Sequence, residues 1–314
     1  DPYNDAQLRD ALACATHDLV VAMYGRLRRI AELTSGRCDR FVSVGGVPAY
    51  RGWMNPWLPM PTPVAEDAPL VRNPEDDEKG YRIVRTEEAV FEHHPRATHF
   101  RYPYVYGPLQ LAPREWLIVR RVLDGRRRIV VADDGLTLHH HGYTENLAHA
   151  VLLAVDQPDA AAGKTFNAGD EDVLTVRQVI EVTAGALGHD LEIVSMPYGL
   201  ATPARPLLAQ PLPTHRVLDL ARVKRDLGYH DLEAPRDALA HTARWLADHR
   251  PEPGGMEETV LTDPFDYDAE DRLIDAWQHT LATMAAVTFA AEPGYGLAYS
   301  GPGGRARTNP EFHT

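Results

Sequence analysis

Residues 17–46 read HDLVVAMYGRLRRIAELTSGRCDRFVSVGG, and the order of patterns in this stretch decides the fold. The run Leu19 to Met23 is apolar at every position and too short for a helix, as in a strand covered on both faces. From Arg26 the apolar residues Leu27, Ile30 and Ala31 recur at helical spacing until Gly36 stops the helix. Arg40 to Gly46, RFVSVGG, is a second strand. A Pro-rich loop, Pro48 to Pro74, leads into KGYRIVRTEEAVFEHHP (Lys79 to Pro95), an amphipathic helix, and then into ATHFRYPYVYGP (Ala97 to Pro108), a third strand running into a turn. Strand, helix, strand, helix, strand predicts a parallel sheet with helices on both faces. Right-handed connections bring the C-terminal ends of the strands to one edge, where ligands gather. Tyr24, Gly25, Ser43 to Gly46, Tyr102, Pro103, Tyr104 and Val105 fall at that edge.

Downstream the pattern predicts a helix over Glu115 to Leu123 and a strand in RRIVVAD. A helix follows over Gly142 to Val155, then a strand in KTFNAGD and a helix after Thr175 as N-cap. LDLARVKRDLGYHD and APRDALAHTARWLADH are two more helices. A break at Pro251 to Gly255 precedes an acidic stretch, one further helix, and a Gly-, Pro- and Arg-rich tail from about Glu292.

With 314 residues, 44% hydrophobic and 25% charged, the chain is long enough for one large domain or two modest ones. Its net charge of −13 argues against a nucleic-acid partner, because phosphate backbones require a Lys/Arg surplus on one face. The two cysteines, Cys14 and Cys38, lack metal-type spacing, which points to a reducing compartment. No apolar run approaches the roughly 18 residues of a membrane helix and no signal-peptide pattern opens the chain. A cytoplasmic location is expected, with no membrane partner.

Six segments in order resemble the extended short-chain dehydrogenase/reductase family, in its NAD-dependent epimerase/dehydratase branch. RFVSVGG resembles the strand ending in the family's serine motif, YRIVR its Tyr-x-x-x-Lys helix, and FRYPYVYGP its Arg-to-Tyr-Gly-Pro strand. GYTENLAHAVLLAV, TFNAGDEDVLTVRQVIEVT and LDLARVKRDLGY are similar to its later segments. The resemblance implies an α/β fold, a Rossmann-like doubly wound parallel sheet with a smaller mixed α/β substrate domain. Residues 1–108 would belong to the dinucleotide-binding part, 109–250 to the substrate part, with some strands and helices returning to the sheet, and 251–314 to a C-terminal helix and tail. It also implies NAD or NADP, whose Gly-x-x-Gly-x-x-Gly turn is absent from these residues and is expected upstream of Asp1. A start on a helix without methionine favours a truncated sequence over a lost cofactor cradle.

The resemblance assigns Tyr81 as general acid/base and Arg85 as the cation that lowers its pKa, where the family keeps lysine. Gly46 falls at the usual serine position, leaving Ser43 earlier in the strand as the remaining hydroxyl. Tyr24, Gly25, Tyr81, Arg85 and Tyr102 to Val105 are the expected cofactor contacts. Gly46, Trp53, Asn55, Tyr104 and His139 are the expected substrate contacts. Tyr104 and His139 stand where sugar-nucleotide relatives keep phosphate-binding Asn and Arg, which points to a small substrate that is not a nucleotide sugar. His139, His140 and His141 alternate across a strand and cannot converge on one ion, so no metal is expected. Three functions stay open: hydride transfer with NAD(P), binding of a dinucleotide or metabolite as sensor or scaffold, and assembly through the C-terminal region. Members of the family often pair through a helical bundle that would include the Tyr81 helix, so the resemblance allows a homodimer and leaves the oligomeric state open.

Overall fold

The computed structural model describes residues 3–12, 15–23, 25–210 and 212–291. In chain order the elements are α1 (Asp5–Leu12), β1 (His17–Met23), α2 (Leu27–Thr34), β2 (Cys38–Gly46), α3 (Glu78–His93), β3 (Thr98–Tyr102), β4 (Tyr104–Tyr106), α4 (Trp116–Leu123), β5 (Arg128–Ala132), β6 (His141–Tyr143), α5 (Thr144–Asp156), α6 (Pro158–Ala161), β7 (Lys164–Asn167), α7 (Val176–Gly185), β8 (Glu192–Met196), α8 (Arg205–Leu208), α9 (Ala221–Leu227), α10 (Pro235–Asp248), α11 (Met256–Thr259) and α12 (Tyr267–Met284). The main sheet is parallel, in the order β1-β2-β3-β7. Two short parallel pairs, β4-β6 and β5-β8, lie apart from it.

Alternation along β2 and β3 sorts their side chains between two helical layers. Val42, Val44, Phe100 and Tyr102 enter one core with Leu147, Ala150 and Val151 of α5. Phe41 enters another with Leu27 and Ala31 of α2 and Val90 of α3. The sheet is therefore covered on both faces, as the strand and helix pattern predicts.

Two expectations change. The third strand is two: Pro103, without an N–H to donate, ends β3 after Tyr102, and β4 leaves the main sheet to pair with β6. Gly142 and Tyr143 belong to β6, so the helix expected from Gly142 begins at Thr144. Among the described residues β1 pairs only with β2, so it is an edge strand, and Val21 and Met23 stay 43% and 47% exposed despite the apolar run. The Thr175 cap is present as a reciprocal box, Thr175 Oγ1 accepting from Gln178 N while Gln178 Oε1 accepts from Thr175 N.

The chain divides into a compact unit of Asp1–Phe265 and a second beginning at Asp266. The return of β7 to pair with β3 joins residues 1–108 and 109–250 within the first unit. The second holds α12, whose N-cap Asp266 accepts from Ala269 N. No described helix is long and apolar enough to cross a membrane. The tail from Glu292 lies outside the described residues.

Candidate active site

A cavity of about 680 Å³ opens where β2 and β3 end, against the first turns of α3. Its wall includes Gly45, Gly46, Tyr102, Pro103 and Tyr104 from the strands, and Trp53 and Met54 from the following loop. Lys79, Arg82, Ile83 and Thr86 line it from α3. Arg114, His139 and Arg216 close its far side.

The phase of α3 decides which residues meet this cavity. Asp77 caps the helix by accepting from Lys79 N. Gly80 then passes so close to the loop after β2 that a Cβ there would lie 2.3 Å from Pro48 O, which only glycine permits. Gly80, Val84, Glu87 and Val90 form the buried stripe. That phase turns Tyr81 against the small core of Ala49, Val71 and Val84, and sends Arg85 outward to pair with Glu88 at 2.6 Å. Neither Tyr81 nor Arg85 lines the cavity. At the same i, i+4 spacing the cavity face carries Lys79 and Ile83.

Beneath α3 lies a buried polar layer. Arg101, 2% exposed, donates from Nε and Nη2 to both Glu87 oxygens, at 3.0 and 2.7 Å. Its Nη1 donates to Glu66 O, and it stacks over the Tyr50 ring. Burial works to raise the Glu87 carboxyl, but the Arg101 hydrogen bonds and charge outweigh it and hold the group below its ordinary value. Ser43 is fully buried in this layer, 2.7 Å from His99 Nδ1, and is not at the cavity wall.

The remaining expected contacts divide. Gly46, Trp53, Tyr102, Pro103, Tyr104 and His139 line the cavity. Asn55 does not, because its Nδ2 donates to Asp76 O and its Oδ1 accepts from Trp57 N. Val105 faces a shallow neighbouring groove, and Gly25 packs against Tyr3. Tyr24 lies outside the described residues. His140 points away from His139 and His141, accepting from Leu218 N at Nδ1 and donating from Nε2 to Asp170 O. The described residues contain no group of three or more His, Cys, Asp or Glu that could hold a metal ion.

Sequence reading missed the two arginines at the far side. Arg114, 6% exposed, donates to His139 Nδ1 at 2.9 Å and lies 3.5 Å above the Tyr104 ring centroid. Since a guanidinium only donates, His139 carries its proton on Nε2. Arg216 is 2% exposed, and its Nε and Nη2 have no hydrogen-bond partner among the described residues. Burial first, and the Arg114 charge second, push Arg216 down to about 10, still well within the charged range at neutral pH. His139 is driven well below its ordinary value by burial and then by Arg114, and stays neutral. Neither arginine forms an ion pair with a described carboxylate. Two buried cations thus face one cavity, and the carboxyl nearest in sequence, Glu115, is raised by burial to about 7 although the Arg114 charge acts to lower it. No motif flags them: Arg114 and Arg216 stand 102 positions apart in loop segments that only the fold brings together.

A dinucleotide's pyrophosphate needs backbone N–H groups at a Gly-rich turn before a helix. The described residues do not supply one. Gly45 and Gly46 are backed by His99 and Pro48, and α2 opens at Arg26 with φ 62° and no side-chain cap. Among the described residues the strand order β1-β2-β3-β7 also advances in one direction, without the reversal that creates a dinucleotide crevice.

Residues 80–169 match the family model described as the NAD dependent epimerase/dehydratase family. Over 97 residues the chain is 35% identical to protein y4nL of Sinorhizobium fredii, covering 31% of this chain and 26% of that protein. Over 140 residues it is 26% identical to protein YbjS of Escherichia coli, covering 38% and 42%. The matched segments thus span well under two thirds of either relative. Among solved structures, UDP-glucuronic acid 4-epimerase from Bacillus cereus in complex with NAD superposes with a TM-score of 0.61 at 16% identity, over 80% of each chain. dTDP-glucose 4,6-dehydratase from Bacillus anthracis, also with NAD, gives 0.56 at 16% identity, over 80% of this chain and 79% of that one. At such identities the likeness is one of fold alone.

Proposed function

We propose, from the premise that residues 80–169 belong to the NAD dependent epimerase/dehydratase family, that the cavity at the ends of β2 and β3 takes a small molecule bearing an anionic group, which Arg114 and Arg216 hold. The observation that carries this reading is the unpaired, buried Arg216 guanidinium beside Arg114. His139, neutral and protonated at Nε2, adds a donor, while Tyr104, Trp53 and Met54 offer apolar wall to the rest of the molecule. The small substrate that is not a nucleotide sugar, expected from Tyr104 and His139, can still carry an anionic group, because the anion contacts come from other positions, Arg114 and Arg216.

The solved neighbours carry NAD, and an NAD- or NADP-dependent reaction is the chemistry we assign to the whole protein. Hydride exchange would be the cofactor's contribution. The described residues offer no cradle for its pyrophosphate. What these residues do is bind, orient and exclude water.

Inorganic pyrophosphate is the direct probe. Calorimetry should detect its binding, and Arg216→Met should weaken it by tenfold or more, since a charge-assisted hydrogen bond contributes about 1.5–3 kcal/mol. Equal binding by the variant, or none by the folded wild type, removes the anion reading.

A second reading, a protein that binds a metabolite without turnover, is favoured by the placement of Tyr81 and Arg85 away from the cavity and by the absence of a hydroxyl at Gly45 and Gly46. On either reading Tyr81→Phe leaves any NAD-linked turnover within about twofold of wild type. A loss of a hundredfold, the usual range for removing a general acid, restores Tyr81 to the site.

A further inference from the structure

His99 is a titratable side chain in the middle of β3, 1% exposed, at the wall of the cavity. Its Nε2 has no hydrogen-bond partner among the described residues. Gly45 explains how the ring comes to lie there: a Cβ on residue 45 would stand 2.6 Å from His99 Nε2 and 2.9 Å from Cε1, so the imidazole occupies the space a side chain at 45 would fill. Gly45, in the adjacent strand, is partly buried and lines the same cavity.

The surroundings fix the proton. Glu87 Oε2 lies 3.5 Å from Nε2, too far for a good hydrogen bond but close enough for its charge to favour a proton on that nitrogen. Ser43 Oγ then donates to Nδ1 at 2.7 Å, the shorter of its two contacts, the other being Thr98 O at 3.3 Å. Glu87 is committed to Arg101 and does not close the gap. The result is a chain from Ser43 hydroxyl to His99 ring to an N–H that has no hydrogen-bond partner among the described residues, Glu87 Oε2 standing off at 3.5 Å, and a buried donor left in that state costs free energy until a ligand oxygen meets it.

We propose that His99 is a substrate-binding residue, presenting an Nε2–H donor through the gap left by Gly45 to a carbonyl or hydroxyl oxygen of the molecule in the cavity. It takes over the hydrogen bond that a hydroxyl at the end of β2 would have made. Ser43, which cannot reach the cavity, acts as a positioning residue by fixing the tautomer. The inference rests on the reading of the cavity as the ligand site, but uses the wall opposite the arginines.

Two probes separate the two statements. Pyrophosphate reports on the arginines alone; UDP-glucuronic acid adds a sugar rich in hydroxyl oxygens. Nitrogen NMR of histidine-labelled protein should place the His99 proton on Nε2, and saturation with UDP-glucuronic acid should move that resonance. His99→Leu should bind UDP-glucuronic acid about tenfold more weakly and pyrophosphate as tightly as wild type. Gly45→Ala, which leaves the imidazole but forces it aside without adding a donor, should reproduce the effect if the leucine variant does not fold. A proton on Nδ1, or equal affinity of wild type and variant for UDP-glucuronic acid, overturns the role of His99. Failure of pyrophosphate to bind wild type counts against the anion site and leaves the His99 comparison standing.

Discussion

Glu87→Leu should destabilise the protein by about 3–5 kcal/mol, because it leaves the Arg101 guanidinium buried without its carboxylate. In a unit of this size each kcal/mol lowers the melting temperature by about 2–4 °C, so a fall of about 10 °C is expected in a thermal scan. The cost comes from the missing partner and not from a lost attraction. Replacing both residues, Glu87→Leu with Arg101→Met, should therefore recover much of the loss. A double variant as unstable as the sum of its singles would show instead that the remaining contacts of Arg101, to Glu66 O and the Tyr50 ring, carry the stabilisation.

Stability should fall as pH drops from about 6.5 toward 4.5. Burial lowers His99 and His140 to about 4 and places His139 and His141 well below their ordinary value. All four are neutral in the folded state where the unfolded chain binds a proton on each, below about pH 6.5. Burial acts oppositely on Glu115 and Asp170, raised to about 7, which hold protons in the folded state that the unfolded chain releases between about pH 4 and 7. Four against two leaves the unfolded state with about two more protons in this window, a slope of roughly 2.7 kcal/mol per pH unit. Urea midpoints measured from pH 7 to 5 check the sign, and a flat profile contradicts it. Glu115→Gln should steepen the fall, since it removes a group that offsets the histidines.

The layers of this fold were readable because strand and helix patterns are local. The Thr175 cap and the strands β1, β2 and β7 are set by residues within a few positions of each other. Pro103 was visible too, but the consequence of its missing N–H, a strand passing from one sheet to another, depends on β6 some forty residues on. The site was legible only in part. Tyr102, Tyr104, Trp53 and His139 follow from their place at strand ends and adjoining loops. Arg114 and Arg216 meet through tertiary packing, which leaves no spacing to read. The Tyr81 and Arg85 pair has the right spacing on a helix whose rotation is fixed elsewhere, by Gly80 against Pro48 and Glu87 against Arg101.

That rotation bears on attempts to endow this scaffold with new chemistry. A helix clamped at two points along its length cannot be re-aimed by editing its outward side. Installing a phenol and an ammonium over the open floor means rewriting Lys79→Tyr and Ile83→Lys while positions 81 and 85 are left alone. Inserting a single residue between the clamps would swing every later side chain by about 100° and break one clamp. The two fixed points make this helix a graduated dial already set, and only the marks that face inward can be renamed.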